Sequence, residues 1–307
     1  MNHSRFVIKK TLGRGAFGTT YLGYDKVLKK DVAVKIVILD DEKAIKNAID
    51  ELNTLKYLSN SEGCNEYIVC YYDSFIDEYE GGKKLFLISE YVEGITLQEY
   101  IDGIYKISEK VLLSVIYGLV AGLLYIHESG YAHGDIKPDN IIIMENGKIK
   151  YIDFGLSCFG KDVKCNNCNN SCSIVRMMSA TYASPDYYRS TNRNFYIAQS
   201  NDIWALGVVL YQLANGGEIP FDYDNDQKIL KENILNAPKY KSHYPLNNNI
   251  NLYIDSFLIN DNYSRPQINT QYDKLVNIIN DNNNNNNNNI DNFEKYSKEI
   301  KSSYLVG

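Results

Sequence analysis

A run of three glycines, Gly13-Arg14-Gly15-Ala16-Phe17-Gly18, stands between two stretches of strand-like composition, Phe6 to Thr11 and Thr19 to Tyr24. A G-x-G-x-x-G run that joins a strand to a helix marks a dinucleotide fold, in which the pyrophosphate sits on the helix N-terminus. Here a second strand follows instead of a helix, so the run predicts a glycine-rich flap between antiparallel strands. Glycines in such a flap let backbone N–H groups approach phosphates with no Cβ in the way. Taken alone, the same pattern also fits an ordinary hairpin turn.

The rest of the chain narrows that choice. A third strand-like stretch, Val32 to Leu39, follows a Lys29-Lys30-Asp31 turn, and Asp41 to Leu58 places Ala44, Ala48, Leu52, Leu55 and Leu58 at helical spacing behind an acidic first turn. Two more strands, around Ile68 to Ile76 and Leu85 to Glu90, complete a small antiparallel lobe over residues 6–93 with one main helix. Beyond it the pattern turns helical. Leu97 to Tyr105 is one helix, and Glu109 to Ser129 is apolar nearly all round, as suits a helix buried in a core. Further helices around Ile197 to Asn215, Asp226 to Ile234, Ile250 to Leu258 and Gln271 to Asn280 make a larger, mostly α lobe over residues 94–280. Every residue from Asn282 to Asn289 is asparagine. That run cannot bury apolar area and reads as a solvated linker over 281–289, ahead of a tail over 290–307. The fold class is therefore α+β in two lobes.

Composition bounds the partners. A length of 307 residues at 44% apolar content can fill a core, and a formal charge of -6 gives no reason to expect nucleic acid or an anionic membrane as a partner. Met1 to Lys10 carries no apolar leader, and no stretch approaches the roughly 18 consecutive apolar residues of a membrane span. The expectation is a soluble intracellular, cytoplasmic protein. Four of the six cysteines crowd between Cys158 and Cys172, which argues for a reducing compartment over a disulfide framework.

Three further motifs follow the glycine run in order: Val32-Ala33-Val34-Lys35, then His133-Gly134-Asp135-Ile136-Lys137-Pro138-Asp139-Asn140, then Asp153-Phe154-Gly155. With Ser184-Pro185-Asp186, Asp202-Ile203-Trp204-Ala205-Leu206-Gly207 and Arg265 behind them, the set closely resembles the protein kinase family, serine/threonine type, over roughly Phe6 to Asn280. The resemblance implies an ATP- and magnesium-dependent transferase acting on protein hydroxyls, with manganese able to substitute. Two other readings are a scaffold that binds nucleotide or protein without turnover, and a kinase of small molecules. The scaffold reading would gain from a lost catalytic residue, and none is lost. The stretch from Ala180-Thr181 to Asp186, which in the family positions a peptide, speaks against the small-molecule reading.

Phosphoryl transfer needs charge neutralised on the phosphates and a hydroxyl held in line, with little covalent help from the protein. Lys35 supplies a cation for the α- and β-phosphates, and Glu51 is the anion that holds it. Glu42 competes for that role, but Leu55 and Leu58 point the Glu51 side of the helix inward. Asn140 and Asp153 are oxygen ligands suited to magnesium. Asp135 orients the substrate hydroxyl and accepts its proton, while Lys137 neutralises the γ-phosphate. In the family a lysine at that position goes with serine/threonine specificity, which Thr181 supports. The resemblance also places Gly13, Gly15 and Gly18 over the phosphates, Ser89 behind the adenine, and the backbone of Glu90 and Val92 on the purine edge. Leu12, Ala33 and Ile142 give apolar contact, and Thr20 replaces the family's usual valine.

Two departures stand out. Gly134 takes the place of an arginine that in many kinases pairs with a phosphorylated activation segment, which implies activity independent of that phosphorylation; Arg176 could supply the charge instead. Cys158, Cys165, Cys168 and Cys172 offer four thiolates in one short segment. A zinc clip is conceivable there, redox control is another reading, and a flexible insertion with reduced thiols is favoured over both. His127 and His133 read as packed structural residues, and Cys64 and Cys70 carry no assigned task.

Overall fold

Residues 5–15, 18–59, 64–103, 108–160, 179–189, 195–221, 226–236 and 248–286 are described by the computed structural model. They divide into two compact units, one holding residues up to Glu93 together with Ile152–Ser157 and the other holding Gly94–Tyr151 and the chain from Cys158 onward.

In the first unit, β1 (Phe6–Gly15), β2 (Gly18–Asp25), β3 (Lys30–Ile38), β4 (Tyr71–Tyr79) and β5 (Gly82–Glu90) form one antiparallel sheet in the order β1-β2-β3-β5-β4. Period-two alternation on the central strands explains the arrangement. Val32 and Val34 face one side with Phe6, Phe86 and Ile88, and Val37 faces the other with Leu85. Against that second face packs α1 (Glu42–Ser59), through Ala48 and Leu52. The stretch Ile68 to Cys70 is buried but lies ahead of β4, not in it. An apolar run that ends a loop under the helix carries the same composition as the start of a strand, so the sequence expectation set β4 too early.

The β1–β2 hairpin closes with Gly15 opposite Gly18. A Cβ on Gly18 would collide with the carbonyl oxygen of Ile36 on β3, whereas one on Gly13 would meet nothing within 4 Å. Gly18→Ala should therefore destabilise the protein by about 1–3 kcal/mol, because the obstacle is backbone in the middle of a ladder. Gly13→Ala should change stability by less than about 0.5 kcal/mol. Urea unfolding of the two variants side by side checks both.

The second unit is mostly helical. Its described helices are α2 (Leu97–Asp102), α3 (Glu109–Glu128), α4 (Pro185–Arg189), α5 (Phe195–Ala214), α6 (Gln227–Asn236), α7 (Asn248–Asp255) and α8 (Ile268–Asn286). A capping box between Thr96 and Glu99 starts α2, Gly103 ends it, and Ser108 caps α3. Half of the 20 residues of α3 are buried in this unit. By length and composition α3 is apolar enough to cross a membrane, contrary to the expectation that no stretch comes near that; its apolar surface is taken up by the core.

Short strands complete the unit: β6 (Gly94–Thr96), β8 (Ile141–Met144) and β9 (Ile149–Tyr151) form one sheet, and β7 (Tyr131–Ala132) pairs with β10 (Cys158–Phe159). The asparagine run corrects another expectation, since α8 continues through Asn286. Extending an existing helix adds a hydrogen bond per residue, and asparagine costs only about 0.7 kcal/mol against alanine. Residues 287–307, including the rest of that run and the tail, lie outside the described residues.

Candidate functional site

Lys35 sits on β3, opposite Thr20 of β2 and Leu87 of β5. Its Nζ donates to Glu51 Oε1 at 2.5 Å and to Asp153 Oδ1 at 2.8 Å. Glu51 is on the inward face of α1 with Ala48, Leu55 and Leu58, and Glu42 is exposed in the first turn, so the helical period decides which acid meets the lysine. Burial pulls the Lys35 ammonium down, but the carboxylates of Glu51 and Asp153 outweigh it and hold the group above the ordinary lysine value. It is a fixed cation at neutral pH. Asp153 keeps 40% of its side chain exposed and adopts a left-handed backbone with φ of 59°. Its carboxylate also accepts from the N–H of Gly155 at 3.3 Å, a local bond that helps an aspartate hold this conformation.

Other residues named from the sequence share this unit. Ala33 pairs with Ser89, and Val32 with Glu90, where β3 meets β5. Glu90 is fixed twice to the chain before β4: its N–H donates to the Cys70 carbonyl at 2.8 Å, and its carboxylate accepts from the Cys70 N–H at 3.1 Å. Val92 is 8% exposed, and its backbone makes no hydrogen bond among the described residues. Leu12 is 40% exposed on β1, and among the described residues a Cβ on Gly15 would meet only the Gly18 carbonyl, at 3.9 Å. Ala16 and Phe17 lie outside the described residues.

The second unit holds the other constellation. Asp135 Oδ2 accepts from Lys137 Nζ at 2.7 Å and from Asn140 Nδ2 at 2.9 Å, and Asn140 Nδ2 also donates to the Asp135 carbonyl at 2.9 Å. Asp135 Oδ1 and Asn140 Oδ1 have no partner among the described residues. Pro138 opens a single 3-10 turn over Pro138–Asn140, which brings Asn140 back to Asp135. Lys137 Nζ further reaches Ser179 Oγ at 3.4 Å, and Thr181 follows in a second 3-10 turn over Ala180–Tyr182. Ile142 faces Thr96 across the β6–β8 pair. Gly134 has φ of 82°, in the region glycine adopts freely.

Sequence reasoning quoted Asp202 only as part of a motif, and the structure gives it a task. It is fully buried on α5 and accepts from the N–H groups of His133 and Gly134 at 2.7 and 2.9 Å and from His127 Nε2 at 3.0 Å. That clamp sets the path of the chain into Asp135. The signal was present: an aspartate followed by the apolar Ile203 and Trp204 on a buried helix must find donors. His133 Nδ1 accepts the Asp135 N–H at 3.3 Å, so His133 holds the loop, and His127 is a packed partner of Asp202. Asp186 pairs with Arg265 at 2.9 Å.

Two cysteine expectations change. Cys64 and Cys70, assigned no task and assumed reduced, form a disulfide with Cα atoms 5.2 Å apart. Cys158 is also disulfide-bonded, so it is not the thiolate a zinc site requires, while Cys165, Cys168 and Cys172 lie outside the described residues, as does Arg176. Among the described residues no group of three or more His, Cys, Asp or Glu could hold a metal.

Comparison with known proteins shows which family the chain resembles. The sequence model described as a protein kinase domain matches residues 6–278. The maternal embryonic leucine zipper kinase of Xenopus laevis is 32% identical over 231 residues, covering 74% of this chain and 32% of that protein. A probable serine/threonine-protein kinase of Dictyostelium discoideum is 32% identical over 243 residues, or 76% of this chain and 27% of its own. The serine/threonine-protein kinase PrkC of Bacillus subtilis is 31% identical over 245 residues, 78% of this chain and 35% of its own. The matched region thus spans about a third of the length of these relatives.

Proposed function

The chain belongs to the protein kinase family, and from that premise we propose that it transfers the γ-phosphate of ATP to serine or threonine hydroxyls of protein substrates. The observation that carries the reading is the carboxylate of Asp135. Its Oδ2 is held by Lys137 and Asn140, while Oδ1 stays without a partner among the described residues, oriented and available to take a proton. Lys137 stands 2.7 Å from that carboxylate and supplies positive charge where the transferring phosphoryl group gains negative charge. Ser179 and Thr181, close along the chain, belong to the segment that presents the hydroxyl.

The residues present fit a nucleotide triphosphate. Among the described residues a Cβ on Gly13 would meet nothing within 4 Å and one on Gly15 only the Gly18 carbonyl at 3.9 Å, so no packing seen there calls for glycine, whereas Gly18 is required by β3 itself. Lys35, fixed by Glu51, binds the α- and β-phosphates, with Ala33, Leu12 and Thr20 of the same unit giving apolar or neutral contact to the base. The backbones of Glu90 and of Val92, the latter without a hydrogen bond among the described residues, take the purine edge. Asn140 suits a magnesium ion as well, because its amide nitrogen is committed to Asp135 and its oxygen has no partner among the described residues. Asp153, in the other unit, is an oxygen ligand of the same kind. Magnesium, when bound, neutralises phosphate charge and needs few protein ligands because it keeps waters.

Incubating the full chain with Mg-ATP labelled on the γ-phosphate and a mixed protein substrate, followed by phosphoamino-acid analysis, tests the reading. Phosphoserine and phosphothreonine are expected. Absence of labelled protein, or label on tyrosine alone, overturns it.

A further inference from the structure

The Cys64–Cys70 bond joins one exposed and one buried cysteine across a six-residue separation. Cys70 is 5% exposed and is bonded in both directions to Glu90, its N–H to the Glu90 carboxylate and its carbonyl to the Glu90 N–H. On the other side, Ser59 at the end of α1 accepts the Tyr71 N–H at 2.8 Å and donates to the Val69 carbonyl at 3.3 Å. The loop closed by the disulfide is therefore clamped between Glu90 and the helix that carries Glu51.

We propose that Cys64–Cys70 is a reversible thiol–disulfide exchange site whose oxidised form fixes Glu90 for nucleotide and whose reduction loosens it. The inference rests on the assignment of Glu90 to the purine edge. A thiolate of a low-molecular-weight thiol such as glutathione attacks the exposed Cys64 sulfur, the Cys64–Cys70 bond breaks, and Cys70 leaves as a thiolate that takes a proton from solvent. A second glutathione thiolate attacks the mixed disulfide on Cys64 and releases it. One protein disulfide and two glutathiones thus become one dithiol and one glutathione disulfide, and the reverse sequence restores the bond. Exposure at Cys64 supplies the access that a structural disulfide normally denies. A short loop contributes less chain entropy to stability than a long one, which limits what opening the bond costs the fold.

The test equilibrates the full chain in buffers of stated glutathione to glutathione disulfide ratio and measures Mg-ATP affinity by calorimetry. Mass spectrometry of alkylated peptides follows Cys64 and Cys70 at each ratio. Affinity is expected to fall about fivefold as that pair reduces, and the exposed-site variant Cys64→Ser should stay at the weak value at every ratio. A variant with Cys158, Cys165, Cys168 and Cys172 all replaced by serine separates the bond at Cys158 from this one and should keep the response. Equal affinity of the oxidised and reduced forms, or failure of the pair to oxidise in glutathione disulfide, overturns the exchange site and leaves the kinase reading untouched. Absence of Mg-ATP binding in both forms overturns the two together.

Discussion

Asp135→Asn should lower the rate of phosphoryl transfer by about 10²–10⁴-fold while leaving the affinity for Mg-ATP within about twofold. The amide is nearly isosteric with the carboxylate, and its oxygen can still accept from Lys137 and from Asn140, so the loop keeps its geometry. What disappears is the capacity of the second oxygen to take a proton and the charge that orients a hydroxyl. A drop in kcat with KM for ATP unchanged is the signature of an interaction made in the transition state alone. Single-turnover measurements on the variant and the native chain separate that step from product release. A variant that transfers phosphate at the native rate would remove Asp135 from the chemistry, and one that loses ATP binding in parallel would make it a structural residue.

Much of this site could be read before any fold was known, because the chemistry ties rare residue types to fixed neighbours. Lys35 ends a Val-Ala-Val-Lys run, Asp135, Lys137 and Asn140 fall within one six-residue stretch, and Asp153 precedes Phe154-Gly155. Glu51 needed one more step, the period of α1, which turns it inward with Leu55 and leaves Glu42 in water. What stayed hidden has physical causes. The strands β6 to β10 run from two to four residues, too short to show an alternation. The Cys64–Cys70 pairing depends on where two Cβ atoms point, which spacing does not encode. The clamp on the backbone of His133 is made by an aspartate 69 residues further along, and a single sequence carries no trace of that contact beyond the requirement that a buried acid find partners.

Arg265→Met should cost about 3–5 kcal/mol of stability, the range for breaking a buried ion pair by removing one partner. The Arg265 side chain is fully buried. Its guanidinium donates to Asp186 at 2.9 Å, to the carbonyl and hydroxyl of Ser200 at 2.8 Å each, and to the Ile259 carbonyl through two nitrogens at 3.0 and 2.7 Å. It also lies 5.2 Å from the centre of the Trp204 ring. Methionine fills the volume but leaves Asp186 a buried anion without its cation and strips the Ile259 carbonyl of both bonds from Arg265. Domains of this kind are stable by only about 5–15 kcal/mol, so the loss should be plain in urea unfolding. Arg265→Lys keeps the charge as a single point and cannot serve Asp186, Ser200 and Ile259 together, so it should recover only part of the loss. The sign of the coupling is the sharper test. Adding Asp186→Asn to Arg265→Met removes the stranded anion, and the double variant should be less unstable than the sum of the two single changes by about 1–3 kcal/mol. Simple additivity would mean that Arg265 acts through Ser200 and Ile259 and that the pair with Asp186 contributes nothing. Should Arg265→Met prove too unstable to purify, Arg265→Lys and Asp186→Asn, alone and combined, close the same cycle by thermal unfolding.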